Sequence, residues 1–237
     1  MRYIYGPLLS RRLGLSLGIS PIPFKTCDFD CVYCQLGATL SKTKTRKEYV
    51  NKEEILSEIR QWLKDNPQTK INYITLSGSG EPTLNSRIGE IIQEIKNISS
   101  IPVAVITNSS FLIHPEVRRS LLVADLIIPS LSAVDQDVFQ KINRPAEGVK
   151  VDEIINGLID LRKEYKGKIW LEVMLVRGVN DDLRHIQKLN EVITRINPDK
   201  IQLNRPIRHT TVAGIRPPDK RRLNKIKEIL GEKCQII

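Results

Sequence analysis

Ile71-Asn72-Tyr73-Ile74-Thr75-Leu76-Ser77-Gly78-Ser79-Gly80-Glu81-Pro82 begins as a short apolar run of β type and then turns through a glycine-rich segment. It leads into Leu84, Ile88, Ile91, Ile92 and Ile95, whose spacing of three and four residues lays one apolar stripe along a helix. Working outward, the same alternation recurs. Val103–Thr107, Leu126–Ile128, Ile169–Val176 and Ile201–Leu203 are apolar runs of the same kind. They are too apolar for half-exposed strands and fit strands buried on both faces. Between and around them lie further helical stripes: Ile55, Ile59, Trp62 and Leu63; Ile154, Leu158 and Leu161; Leu183, Ile186, Leu189, Ile193 and Ile196; Leu223, Ile226, Ile229 and Leu230.

Start signals accompany the stripes. Asn51 with Glu54 resembles a capping box, Pro115 and Pro218 suit first helical turns, and Asn180-Asp181-Asp182 offers a cap with Asn180 in the capping role. With a first strand inside Leu13–Ile22, six βα units are counted, which predicts an α/β fold of parallel strands joined by right-handed crossovers. Periodicity alone leaves a doubly wound sheet and a closed or partial barrel both open. Either puts the chemistry at the carboxyl ends of the strands. No Gly/Ser linker or repeat divides the chain, so residues 1–237 read as one domain, with an irregular part at 1–50.

The 237 residues, 41% hydrophobic and 27% charged, suffice for a large core in a globular protein. The start of the chain lacks a signal-peptide core and no apolar run is long enough to span a membrane, so a cytoplasmic protein without a membrane partner is expected. The net charge of +10 would draw it to polyanions, although biased composition or adaptation to heat yields the same excess.

Three of the four cysteines lie within eight residues, in Cys27-Asp28-Phe29-Asp30-Cys31-Val32-Tyr33-Cys34, and Cys234 stands apart. In a cytosolic chain such clustering points to metal binding or redox chemistry rather than disulfides. Thiolates select zinc, copper(I) or iron–sulfur clusters. A structural zinc site wants four ligands, and the three histidines, His114, His185 and His209, are scattered. A cubane cluster held by three cysteines leaves one iron open for an exogenous ligand, which favours catalysis over electron carriage.

The C-x3-C-x2-C spacing, with Tyr33 immediately before the last cysteine, resembles the signature of the radical S-adenosylmethionine (SAM) superfamily. The resemblance implies a [4Fe–4S] cluster on Cys27, Cys31 and Cys34, with the amino and carboxylate groups of SAM on the open iron. Electron transfer then yields a 5′-deoxyadenosyl radical. It also implies a partial (β/α)6 TIM-like barrel. Gly78-Ser79-Gly80-Glu81 resembles the family's GGE motif, which holds the SAM amino group; Thr107-Asn108-Ser109 resembles its Thr-Asn-Gly turn; and Val176-Arg177-Gly178-Val179-Asn180-Asp181 its Val-x-Gly-Val-Asn-Asp turn. By the same likeness Tyr33, Ser130, Ser132 and Leu203 are expected beside SAM, and Arg144 is the candidate for its carboxylate. Read from the residues alone, these segments serve equally as tight turns and helix caps.

Pro23–Gly37 together with Ser77–Thr83 is most similar to the branch of wyosine-base synthesis on tRNA, but the additional N-terminal cysteines of a second cluster are absent from the sequence. That specific reaction is therefore not expected. An RNA nucleotide as substrate would draw on Arg11-Arg12 and on the run Lys42-Thr43-Lys44-Thr45-Arg46-Lys47, a run that by charge pattern reads first as a mobile, solvated loop. Aromatics are 5% and do not interleave with the run, so base stacking finds little support there. A small-molecule substrate, activation of a protein partner, and a non-catalytic zinc or iron–sulfur module are the alternatives. A ferredoxin- or flavodoxin-like reductant is the implied electron donor.

Overall fold

The computed structural model of the protein describes residues 1–40 and 42–237. Eight strands form one sheet: β1 Ile4–Ser10, β2 Gly14–Ile19, β3 Tyr73–Leu76, β4 Val103–Thr107, β5 Leu126–Pro129, β6 Lys168–Met174, β7 Lys200–Asn204 and β8 Cys234–Ile236. Their spatial order is their chain order. β1 and β2 are antiparallel; every later neighbour is parallel. A doubly wound sheet must reverse its strand order at a switch point. This one never reverses. With right-handed crossovers throughout, the helices collect on one face and the twisted sheet curls into a partial barrel.

The helices are α1 Lys52–Asp65, α2 Ile88–Ile98, α3 Pro115–Leu121, α4 Gln136–Asn143, α5 Val151–Glu164, α6 Leu183–Ile196 and α7 Lys220–Leu230. Their stripes pack on the outward residues of the strands, so that Ile59, Ile91, Leu158 and Leu189 share one core with Leu17, Ile74, Val105, Leu171 and Leu203. The inward strand residues differ in kind. Ala104, Leu126 and Ile128 close on Leu13 in a small apolar plug, whereas Ser16, Thr75, Glu172, Gln202 and Asn204 are buried polar groups. Ser16 and Thr75 share a hydroxyl hydrogen bond of 2.6 Å, and Glu172 pairs with the guanidinium of Arg12.

Six parallel strands, β2 to β7, are the six units expected. The sheet is wider by β1 and β8. The first fifty residues are thus not wholly irregular, because the β1–β2 hairpin occupies most of Ile4–Ile19. Three start signals act differently from expectation. Asn51 caps α1 through the amide of Glu53 rather than by an exchange with Glu54. Pro218 lies outside α7, whose cap is Asp219. Asp182, not Asn180, caps α6, accepting from the amides of Arg184 and His185. Leu84 belongs to a separate single 3-10 turn ahead of α2. Among the described residues no helix is long and apolar enough to cross a membrane.

Candidate active site

At the carboxyl ends of β3 to β6 the sheet opens into a cavity of about 220 Å³. Cys27, Cys31 and Tyr33 form one wall; Gly78, Gly80, Glu81, Asn108, Ser130 and Ser132 face them from the strand ends. Nine of the thirteen residues expected from the sequence are therefore brought together here. The other four are not in this wall. Cys34 sits at the outer edge of its loop, its carbonyl accepting from Thr211. Ser79 contributes backbone, donating to Ser20 and accepting from Lys25. Leu203 is fully buried within β7. Arg144 is the left-handed C-cap of α4 and leans over Asp30, with its Nη1 3.7 Å from Oδ2.

The glycines explain the form of the β3 turn. Gly78 has φ +96, in the region that only glycine enters freely. Gly80 is required for space, since a Cβ there would stand 1.9 Å from the main-chain oxygen of Thr26. That oxygen accepts from the amide of Glu81, so the cysteine loop and the β3 turn are laid directly on each other. Gly80→Ala is expected to push the two apart and to cut the iron bound after anaerobic reconstitution by more than half. Iron-to-protein ratio, with circular dichroism as a folding check, measures this.

Glu81 ends buried, its carboxylate met only by neutral donors. Oε1 accepts from the Thr83 amide and hydroxyl and from the Thr107 hydroxyl; Oε2 accepts from the Asn108 amide at 2.6 Å. Burial outweighs those bonds and pushes the carboxyl up to about 7. A buried anion without a cation is costly, and Oε2 keeps acceptor capacity toward the cavity. Asp28 is also fully buried and is pushed up to about 6 by burial. Its Oδ1 accepts from Asn108 at 2.7 Å, while Oδ2 has no partner among the described residues.

All three clustered sulfur atoms meet N–H donors. Cys27 Sγ accepts from the Phe29 amide at 3.4 Å and Asn108 Nδ2 at 3.7 Å, Cys31 Sγ from Asn143 Nδ2 at 3.3 Å, and Cys34 Sγ from Lys25 Nζ at 3.2 Å. Burial raises the Cys27 thiol and pushes Cys31 up to about 12, so their thiolates need a cationic metal beside them. Such N–H···S bonds are among the groups that tune an iron–sulfur cluster. Among the described residues no three His, Cys, Asp or Glu side chains converge as ligands of a single ion. Cysteines that each hold a different corner of a cubane need no such convergence, and this donor set fits that group.

Several contributors escaped the sequence reading. Asn143, next to the expected Arg144, is the residue that reaches Cys31 and also donates to the Tyr33 hydroxyl at 3.1 Å. Lys25, with φ 57, turns its ammonium onto Cys34. Ser109 has φ 73 and is held there by Thr107 and Ser130, which accounts for glycine at the corresponding position of the family turn. Asn180 joins strand ends instead of capping a helix: its Nδ2 donates to the carbonyls of Ser132 and Met174 and its Oδ1 accepts from Val176.

The family model described as "Radical SAM superfamily" matches residues 22–189. A Brachyspira hyodysenteriae protein named GTPase Obg is 40% identical over 98% of this chain, which spans only 34% of that protein. A UPF0026 protein of Methanocaldococcus jannaschii is 37% identical over 98% of this chain and 72% of its own length. The solved structure of TYW1 with a lysine-pyruvate adduct bound has TM-score 0.67 at 20% identity, covering 91% of this chain and 72% of that one, a likeness of fold.

Proposed function

The chain belongs to the radical SAM superfamily and is an enzyme of a [4Fe–4S] cluster and SAM, and we propose that it cleaves SAM reductively to act on a nucleotide of RNA. In this reading Cys27, Cys31 and Cys34 hold the cluster. When bound and reduced, that cluster supplies the electron that converts SAM to methionine and a 5′-deoxyadenosyl radical, which abstracts a substrate hydrogen. Glu81 holds the SAM amino group, accepting one of its N–H bonds on Oε2. Asn108 carries the linkage between the two halves, since its amide donates to Glu81 and its side chain to Asp28 and Cys27. Tyr33, Gly78, Ser130 and Ser132 shape the remaining wall. A ferredoxin- or flavodoxin-like protein supplies electrons.

The observation that carries this reading is a cysteine triad whose members Cys27 and Cys31 share a cavity with a buried, cation-free Glu81. RNA as substrate draws support from the segment 42–47, which is tied down rather than loose. Lys42 donates to the carbonyls of Arg144 and Pro145, Lys44 to that of Glu147 and Arg46 to that of Thr83, while Thr43 donates its amide to Cys27. Carbonyls orient these cations without neutralising them, so a positive strap borders the cysteine loop where a phosphate backbone could lie.

After anaerobic reconstitution and dithionite reduction, 5′-deoxyadenosine is expected from SAM, and total cell RNA should stimulate its formation several-fold. Stimulation by the small-molecule fraction alone would remove RNA from the reading. No product under any condition would remove SAM cleavage itself.

A further inference from the structure

A second cavity, of about 250 Å³, lies across Ser77 and Ile106, which line both it and the candidate SAM cavity. Its far side is built by the β1–β2 hairpin and by the loops after Cys34 and β7. Three arginines line it, Arg11 and Arg12 from the hairpin and Arg208 from the loop after β7, and two of them, Arg11 and Arg208, have no carboxylate partner among the described residues. Each is steered by a neutral acceptor. Arg11 Nη2 donates to Asn204 Oδ1 at 3.2 Å and Arg208 Nη1 to Gln35 Oε1 at 3.3 Å. The neighbouring carboxylate, Glu172, is already occupied by Arg12. Among the described residues neither Arg11 nor Arg208 forms an ion pair, and the charges of Arg208 and Arg205, after burial, hold the Arg11 guanidinium below its ordinary value. Bringing like charges together with no counter-ion costs stability, and a bound anion would repay it. The same hairpin adds an aromatic and apolar surface, from Tyr5, Leu8 and Leu9 of β1.

We infer that this cavity is the substrate subsite for a phosphate group, gripped between Arg11 and Arg208, with the adjoining body of the substrate on Tyr5, Leu8 and Leu9 and its reacting end toward Ser77. The inference rests on the adjoining cavity being the SAM site. The phosphate belongs either to an RNA backbone or to a small phosphorylated molecule, and the forked guanidinium suits it in both cases.

The probe is inorganic pyrophosphate, titrated by calorimetry into cluster-loaded, SAM-free enzyme at low salt. One saturable site per chain is expected. Arg11→Gln and Arg208→Gln should each weaken it by roughly ten- to a hundredfold, as loss of a charge-assisted hydrogen bond does, and the double variant should lose it. Arg221→Gln, on the outer helix α7, should bind as the unaltered enzyme does. Should a glutamine variant not fold, as judged by circular dichroism and iron content, Arg11→Lys and Arg208→Lys replace it; they keep the charge, lose the fork, and should still bind measurably more weakly. Absence of a saturable site, or equal binding by the double variant, overturns the inference. If pyrophosphate displaces tRNA and the double variant binds tRNA more weakly, the phosphate is a backbone one; if tRNA binding ignores both, it belongs to a small substrate. Neither readout needs reductant or SAM, so a failure of SAM cleavage would be seen separately.

Discussion

Cys31→Ala should abolish 5′-deoxyadenosine formation down to the buffer background, whereas Cys234→Ala should leave the rate within about twofold of the unaltered enzyme, the spread expected of a substitution remote from the site. Each clustered cysteine is assigned one iron corner of a cubane, so losing any of them removes a ligand that no neighbour replaces. Asn143 cannot substitute, since its Nδ2 approaches Cys31 as a donor. Cys234 begins β8 and pairs in register with Ile201 in the first half of β7. It therefore lies toward the amino ends of the parallel strands, on the opposite side of the barrel from the cavity. It is buried in the core, with its thiol pushed up to about 12 by that burial. Replacing it by Ala removes one sulfur from the packing, at about 1 kcal/mol. Iron content, the visible spectrum of the reconstituted protein and the product assay check both variants together. Full iron and full product from Cys31→Ala would sink the ligand assignment.

The contrast between these cysteines could be drawn from spacing alone, and much of the architecture could be too. Runs such as Ile71–Leu76 announce strands because their outward residues meet helices and their inward residues meet the barrel interior, leaving little polar pattern. β1 was not legible, because Gly6-Pro7 interrupts its run and Leu8 and Leu9 stay exposed. β8 is three residues long and carries too little pattern. Strand order is a property of the assembled sheet, which is why periodicity left barrel and doubly wound sheet undecided. At the site, Glu81, Asn108 and Ser130 are residue types that recur in any turn after a strand, and only the resemblance to the family marks them as neighbours of SAM. Asn143 was passed over in favour of Arg144 because a guanidinium is the obvious partner for a carboxylate, while the geometry of a helix C-terminus, which sends Asn143 inward and Arg144 out over Asp30, is not written in local sequence. Likewise Arg12, expected with Arg11 to serve an RNA substrate, is instead taken up by Glu172, a partner one hundred and sixty residues away that local sequence does not reveal.

Glu81→Gln should weaken SAM binding by roughly ten- to a hundredfold, on the strength of a charge-assisted hydrogen bond, and lower the slope of log affinity against pH by close to one below pH 7. Without ligand the carboxyl titrates at about 7, raised from 4.5 chiefly by burial and, last among its causes, by the negative charge of Asp28. A raised carboxyl means the folded protein holds a proton that the unfolded chain has released. Stability of the ligand-free enzyme therefore falls as pH climbs from about 4.5 through about 7, by up to about 3 kcal/mol at 1.36 kcal/mol per unit. Asp28, at about 6, acts in the same direction within that window. The SAM amino group, its N–H bonds polarised by the open iron, reverses the balance, because it favours the ionised carboxylate that burial disfavours. Below pH 7 binding must then release the Glu81 proton besides the one the SAM ammonium gives up to reach the iron, so Glu81 adds close to one to the slope of log affinity against pH up to that point and nothing above it. In Glu81→Gln that contribution disappears. The amide also presents an N–H where Glu81 accepted from Thr83, Thr107 and Asn108, so one donor is left facing another and the melting temperature should drop as well. Calorimetric titration of SAM into cluster-loaded enzyme across pH 6 to 8 reads affinity and slope together. A slope of unchanged steepness in Glu81→Gln would place the ionisation on another group, and the carboxylate of the β3 turn would no longer be the partner of the SAM amino group.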